Sequence, residues 1–148
     1  MKRLALFLIG LFILCAAFNG EAKDVELLKI DKACVIEPPP ASPNAAAFMT
    51  LTNETDHTLT IIAVDTPVAK KAELHKTLKV GELSEMRHVK KLTLAPRESL
   101  KLSHDGYHLM LIGLKQRLKR GEKVRLVFSL KDGGSISVDA DVCRMKRR

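Results

Sequence analysis

Alternation of apolar and polar residues recurs in short segments along most of the chain. Alternation of this kind places one type of side chain on each face of a strand, so each segment is predicted to be a half-buried β-strand. The predicted strands are 25–36, 45–52, 59–63, 86–89, 91–94, 100–102, 106–114, 124–130 and 136–142. Turn-forming residues separate many of them, at 53–57, 95–98, 119–122 and 131–134.

Two stretches depart from this alternation. Residues 38–43 contain four prolines, and because proline donates no backbone hydrogen bond they are expected to form a loop or an edge crossing. Residues 67–74 are expected to form a short helical turn or an irregular link. Many short strands between turns, without a long amphipathic helix, predict one all-β domain built as a sandwich or barrel.

The first residues have the pattern of an export signal. Lys2 and Arg3 are basic, residues 4–18 are apolar, and Ala22 provides a small residue at a cleavage position. We therefore expect a signal peptide at 1–22, a mature domain at 23–148 and a periplasmic location. An uncleaved anchor is disfavoured because the apolar run is short for a membrane span. Lipidation of Cys15 is disfavoured because the bulky Leu14 precedes it.

The chain is basic, with a net charge of +8. Loss of Lys2, Arg3 and Glu21 with the signal peptide would leave +7. Export makes nucleic acid an improbable partner, and no stable membrane insertion is expected after cleavage. The positive charge is spread along the chain, as on solvated faces, and its functional interpretation is steering toward an acidic protein or an anionic membrane surface.

Two cysteines, Cys34 and Cys143, remain in the predicted mature chain. They lie near opposite ends of the domain and do not form a C-x-x-C pair. In an exported protein, two distant cysteines most simply form one structural disulfide. A dithiol redox enzyme is not supported.

The predicted strand at 106–114 carries two metal-binding residue types on one face. Side chains two apart point the same way, so His108 and Met110 share a face while Leu109 and Leu111 are expected to fill the core. An imidazole and a thioether side by side form half of a site for a soft metal ion. The other half must come from elsewhere in the chain.

Upstream residues complete a recognisable spacing. Ten residues separate His75 from Met86, twenty-one separate Met86 from His108, and one separates His108 from Met110. This H-x10-M-x21-H-x-M pattern resembles the metal-binding signature of the periplasmic copper chaperones of the PCu(A)C family. The surrounding blocks resemble that family too, namely Glu73-Leu74-His75, Glu85-Met86-Arg87 and residues 105–115.

The resemblance implies a cupredoxin-like Greek-key β-sandwich that binds Cu(I). Carried over by position, the implied ligands are His75, Met86, His108 and Met110. The implied role is delivery of copper to the CuA centre of a cytochrome c oxidase subunit, with a thioredoxin-like assembly protein as a further partner.

The donor types agree with a copper carrier. Thioether sulfur is soft and uncharged, so methionine favours Cu(I) over Zn(II), Mg(II) or Ca(II). No cysteine lies in sequence beside the four residues, so a blue-copper electron-transfer centre would lack its thiolate. We therefore expect a protein that carries copper rather than electrons, and not an enzyme.

Other functions remain open from the sequence. They are a copper-dependent redox enzyme, a copper storage or resistance protein without a delivery role, and a β-sandwich for adhesion or assembly whose His and Met residues are structural. Met49 is expected in the core. His57, His88 and His104 are expected to be structural or surface residues, with His88 and His104 the best candidates for auxiliary ligands.

Overall fold

A computed structural model describes residues 27–145, which form ten β-strands. They are β1 (Leu28–Ile36), β2 (Asn44–Asn53), β3 (Leu59–Asp65), β4 (Ala69–Val80), β5 (Leu83–His88), β6 (Leu92–Leu94), β7 (Ser99–Leu102), β8 (Tyr107–Leu114), β9 (Lys123–Leu130) and β10 (Ser135–Cys143). The expected signal peptide lies outside the described residues. Within 27–145, no helix has the length and apolar character needed to cross a membrane.

Seven of the strands close on one another as a barrel-like sheet. Their order is β4-β8-β2-β1-β10-β9-β3, and pairing of Val64 with Ala72 joins β3 back to β4. The short strands β5, β6 and β7 attach to β4, β3 and β2. Sequence neighbours are often not spatial neighbours, since β8 lies between β4 and β2 and β1 pairs in parallel with β10. The all-β expectation is confirmed.

Apolar side chains from all around the sheet fill its interior. The largest of the fully buried ones are Phe128, Leu28, Leu51, Leu59, Ile61, Leu94, Leu102, Leu109, Leu111, Leu118, Leu126 and Val35. The expectation that Leu109 and Leu111 fill the core is therefore confirmed, as is burial of Met49. Burial of each such side chain contributes about 1.5–3 kcal/mol relative to its exposure.

The expectation for residues 67–74 is wrong. Most of that stretch belongs to β4, which runs from Ala69 to Val80 and is the longest strand described. The local pattern is poor because Val68 and Ala69 are buried in succession and the adjacent Lys70 and Lys71 are both exposed, so apolar and polar residues do not alternate. Pairing with β8 on one edge and with β3 and β5 on the other supplies the order, so tertiary context overrides the weak local pattern.

The disulfide between Cys34 and Cys143 is confirmed. Their Cα atoms are 5.9 Å apart, although 109 positions separate them in the sequence. The bond joins the neighbouring parallel strands β1 and β10, in which Ile36 lies opposite Cys143. Closing a loop of this length contributes roughly 3–5 kcal/mol by restricting the unfolded chain.

A buried asparagine holds the turn after β2. Asn53 is fully buried, and its Nδ2 donates to the carbonyl oxygens of His57, Leu94 and Ala95 at 2.8, 3.2 and 2.9 Å. Its Oδ1 accepts from the backbone N–H and the hydroxyl of Thr55 at 2.9 and 2.7 Å. One side chain thus satisfies polar groups from the turn and from the end of β6.

Replacement of Asn53 by alanine is expected to destabilise the fold. Asn53→Ala should lower the free energy of unfolding by about 3 kcal/mol, because several buried backbone groups lose their partner. Urea denaturation measures the change. The matched control is Asn44→Ala, which removes one acceptor from the N–H of Gly113 and should cost about 1 kcal/mol. An equal loss in the two variants would contradict the role given to Asn53.

Candidate metal centre

The four candidate ligands lie on one face of the three neighbouring strands β5, β4 and β8. Directly paired residues share a face of a sheet, and His75 on β4 is paired with His108 on β8 and with His88 on β5. Met110 is two residues from His108, and Met86 is two residues from His88, so both point to this same face. The opposite face carries the core pair Leu74 and Leu109.

His75 is the centre of this arrangement. Its ring centroid is 6.0 Å from that of His108 and 5.8 Å from that of His88. Met110 lies opposite Glu73 and Met86 lies opposite Thr77, so each methionine is a diagonal neighbour of His75. Cα atoms of diagonal neighbours are about 7–8 Å apart, within reach of long side chains. The structure therefore brings the imidazoles together and places the two thioethers at opposite corners.

The exposure of the candidate ligands rises from β8 to β5. His108 is only 3% exposed, His75 and Met110 are half-buried, and Met86 is 61% exposed. The β8 side of the centre is thus fixed by its surroundings. The β5 side lies at the surface, where Met86 is free to change rotamer.

Hydrogen bonds decide which nitrogen of each imidazole can bind a metal. Nδ1 of His108 lies 3.1 Å from the carbonyl oxygen of Gly106, and Nε2 of His75 lies 3.1 Å from Oε2 of Glu73. Both oxygens accept only, so these nitrogens carry the protons of the neutral rings. The lone pairs are then on Nε2 of His108 and Nδ1 of His75, and the rings are oriented as outer-shell partners orient metal ligands.

Glu73 contacts a candidate ligand and was not singled out from the sequence. The hydrogen bond from His75 is the main cause that holds the pKa of Glu73 below its ordinary value, against the opposing effect of desolvation, and the charges of His88 and Lys71 act in the same direction as that bond. Glu73 is therefore a carboxylate at neutral pH. It places one negative charge beside His75, where it can offset the charge of a bound cation.

Strands β4 and β5 continue past the centre as an exposed arm. Every residue of β5 is exposed, and the apolar side chains of Val80, Leu83 and Met86 lie open to solvent. Residues 69–91 also carry seven cationic and three acidic side chains, which is a net charge of +4. The apolar surface of the arm and the positive charge of residues 69–91 thus lie close to the candidate ligands.

The other histidines are placed differently from one another. His104 lies on the turn before β8, is 72% exposed in its side chain, and contacts Asp105 through Nδ1 at 3.2 Å. His57 lies on the turn after β2. Only His88 lies in the row with His75 and His108. Glu73 shares a face with His75 by strand alternation, but residues 67–74 were predicted to be irregular. His88 shares a face with Met86, but its position opposite His75 depends on the pairing register of β5, which the sequence does not show.

A family model described as "Putative lipoprotein LpqE-like" matches residues 28–142 of the chain. A relative in Leifsonia xyli subsp. xyli (strain CTCB07), named "Putative lipoprotein Lxx21020", is 28% identical over 128 residues, which cover 86% of this chain and 76% of the relative. Both descriptions name lipoproteins.

Solved structures also match the fold. The structure of CuI-DR1885 from Deinococcus radiodurans is 36% identical, covers 87% of this chain and 86% of its own, and superposes with a TM-score of 0.67. The copper-bound PCuAC domain from PmoF2 is 17% identical, covers 80% and 94%, and has a TM-score of 0.69. The second likeness concerns the fold, and together the two confirm the cupredoxin-like architecture.

Proposed function

The chain belongs to the LpqE-like family and to the PCu(A)C copper chaperone family, and from this premise we propose that it is an exported Cu(I)-binding metallochaperone. It holds Cu(I) with His75, Met86, His108 and Met110 and releases it by ligand exchange. It acts as a binding protein and not as an enzyme.

One observation carries the proposal: these four side chains lie on one face of three paired strands, around His75. Two neutral imidazoles and two thioethers form a donor set that suits Cu(I), which accepts soft ligands. The relative that is 36% identical was solved in a form titled CuI-DR1885. Together these support copper as the cargo of this chain.

The same geometry suits release. The buried His108 and the half-buried Met110 are fixed on β8, whereas Met86 is largely exposed on β5. An incoming ligand from an acceptor can therefore replace Met86 first, without disturbance of the core. Glu73 offsets part of the charge of the ion, and its contact with His75 keeps the ring oriented during the exchange.

We propose the CuA domain of a cytochrome c oxidase subunit as the acceptor, with a thioredoxin-like copper assembly protein as a further partner. This step rests on the family resemblance. The positive charge of 69–91 would steer an acidic acceptor toward the copper. Storage or resistance without delivery is the competing role for the same site.

Substitution of the ligands should weaken Cu(I) binding. Met110→Leu and His108→Ala are each expected to lower the Cu(I) affinity at least about tenfold, since even the loss of an outer-shell partner costs a metal site roughly 10–100-fold. Competition of the reduced protein with a chromophoric Cu(I) chelator measures this affinity.

The controls are Met145→Leu and His104→Gln, which change an exposed methionine and an exposed histidine outside the proposed ligand set. Both should bind Cu(I) as the unaltered protein does. Affinities that are unchanged in Met110→Leu and His108→Ala would refute the assignment of the ligands.

Delivery is tested by copper transfer. The Cu(I)-loaded protein, mixed with an apo CuA domain, should lose copper to it, as measured by the metal content of the two proteins after separation. Transfer should be slower at high salt, because screening weakens steering by the positive charge of residues 69–91. Retention of the copper by this protein, at an acceptor concentration well above that of the donor, would instead favour storage.

Export is supported by the disulfide, which is typical of oxidising compartments, and by the word lipoprotein in the names of the family and of the relative. We expect the mature protein to begin at Lys23. Intact mass measurement of the protein purified from an expressing bacterium checks this. A lipidated N-terminus at Cys15, with the protein in the membrane fraction, would contradict cleavage after Ala22.

A further inference from the structure

From the row of three imidazoles, we propose that His88 is an additional copper ligand that gives the site a second binding mode, for Cu(II). In this mode His75, His88 and His108 hold the ion and the methionines do not. The inference rests on the proposed function, because it concerns the same site and the same cargo. It involves no electron transfer, since Cu(II) is bound as such.

The sheet register places His88 where a third imidazole can act. His88 lies directly opposite His75 on β5, as His108 does on β8, so the three rings lie in a row across three strands. The ring centroids are 5.8 and 6.0 Å apart. A metal–nitrogen distance of about 2 Å places the ring centres of two imidazoles on one ion roughly 4–6 Å apart. Both centroid distances lie within this range, so His75 can share an ion with either neighbour. For all three nitrogens to reach one ion, His88 must turn over His75 toward His108, which is buried and bonded to Gly106.

His88 is also available to move. It is exposed, and within residues 27–145 its side chain has no hydrogen-bond partner. It lines an open groove of ≈ 470 Å³ between β3 and β4, which Glu73 also lines. In the structure as it stands, no three His, Cys, Asp or Glu side chains of the described residues are gathered closely enough to hold a metal. Rotation of His88 is thus the movement that would complete the three-imidazole set.

The two oxidation states of copper prefer different donor atoms. Cu(I) accepts soft thioether sulfur, whereas Cu(II) prefers nitrogen and oxygen donors in a tetragonal arrangement. This face offers both sets around the shared His75 and His108: the methionines for Cu(I), and His88 for Cu(II). His88 is therefore expected to matter for one oxidation state and the methionines for the other.

His88→Gln separates the two modes. We expect this variant to lose Cu(II) affinity by at least about tenfold, measured by competition with a weak Cu(II) chelator, while its Cu(I) affinity stays within about twofold. The Cu(II) EPR spectrum of the unaltered protein should show coupling to three imidazole nitrogens, and that of the variant should show fewer. Met86→Leu should behave in the opposite way, with weaker Cu(I) binding and unchanged Cu(II) binding.

His104→Gln is the matched control, because it removes another exposed histidine that lies on a turn outside the row. It should leave the Cu(II) affinity and EPR spectrum unchanged. Equal Cu(II) binding by His88→Gln and the unaltered protein would overturn the inference and leave the Cu(I) proposal intact. If Met110→Leu and His108→Ala bound Cu(I) as tightly as the unaltered protein, the proposed function would be refuted instead. The two failures are therefore distinguishable.

Discussion

The register between β4 and β8 is the constraint on which both the core and the candidate metal centre depend. It pairs Leu74 with Leu109 inside the barrel and His75 with His108 outside it. A slip of one residue would turn every side chain of a strand to the opposite face. The apolar residues that stabilise the fold therefore also fix the orientation of the candidate ligands. The donors need no dedicated framework, because core packing already holds the strand that carries His108 and Met110.

Much of this arrangement could be predicted from the sequence. Alternation identified most of the strands, and on β8 it separated Leu109 and Leu111 from His108 and Met110 with the correct faces. Strand β4 could not be predicted in this way, because lysines interrupt its alternation and its order comes from pairing with three other strands. Because residues 67–74 were predicted to be irregular, Glu73 was not placed on the same face as His75. The position of His88 beside His75 depends on the pairing register of β4 with β5, which no local pattern contains.

The arm formed by β4 and β5 has a second property that follows from its exposure. Strand β5 pairs only with β4 among the described strands, so its outer edge carries unpaired backbone groups. Glu82, Glu85 and Arg87 lie on or beside it, and charged side chains on an edge discourage pairing with other chains. The arm therefore exposes apolar surface and Met86 to solvent while the charges limit self-association.

The parallel pairing of β1 with β10 has a consequence for the order of folding. The two strands are neighbours in the sheet but lie at opposite ends of the described chain, and a disulfide joins them. The barrel cannot close until β10 is available to pair with β1. Until then, one edge of β1 stays unpaired. Contacts of such long sequence separation slow folding and extend the lifetime of partly folded forms.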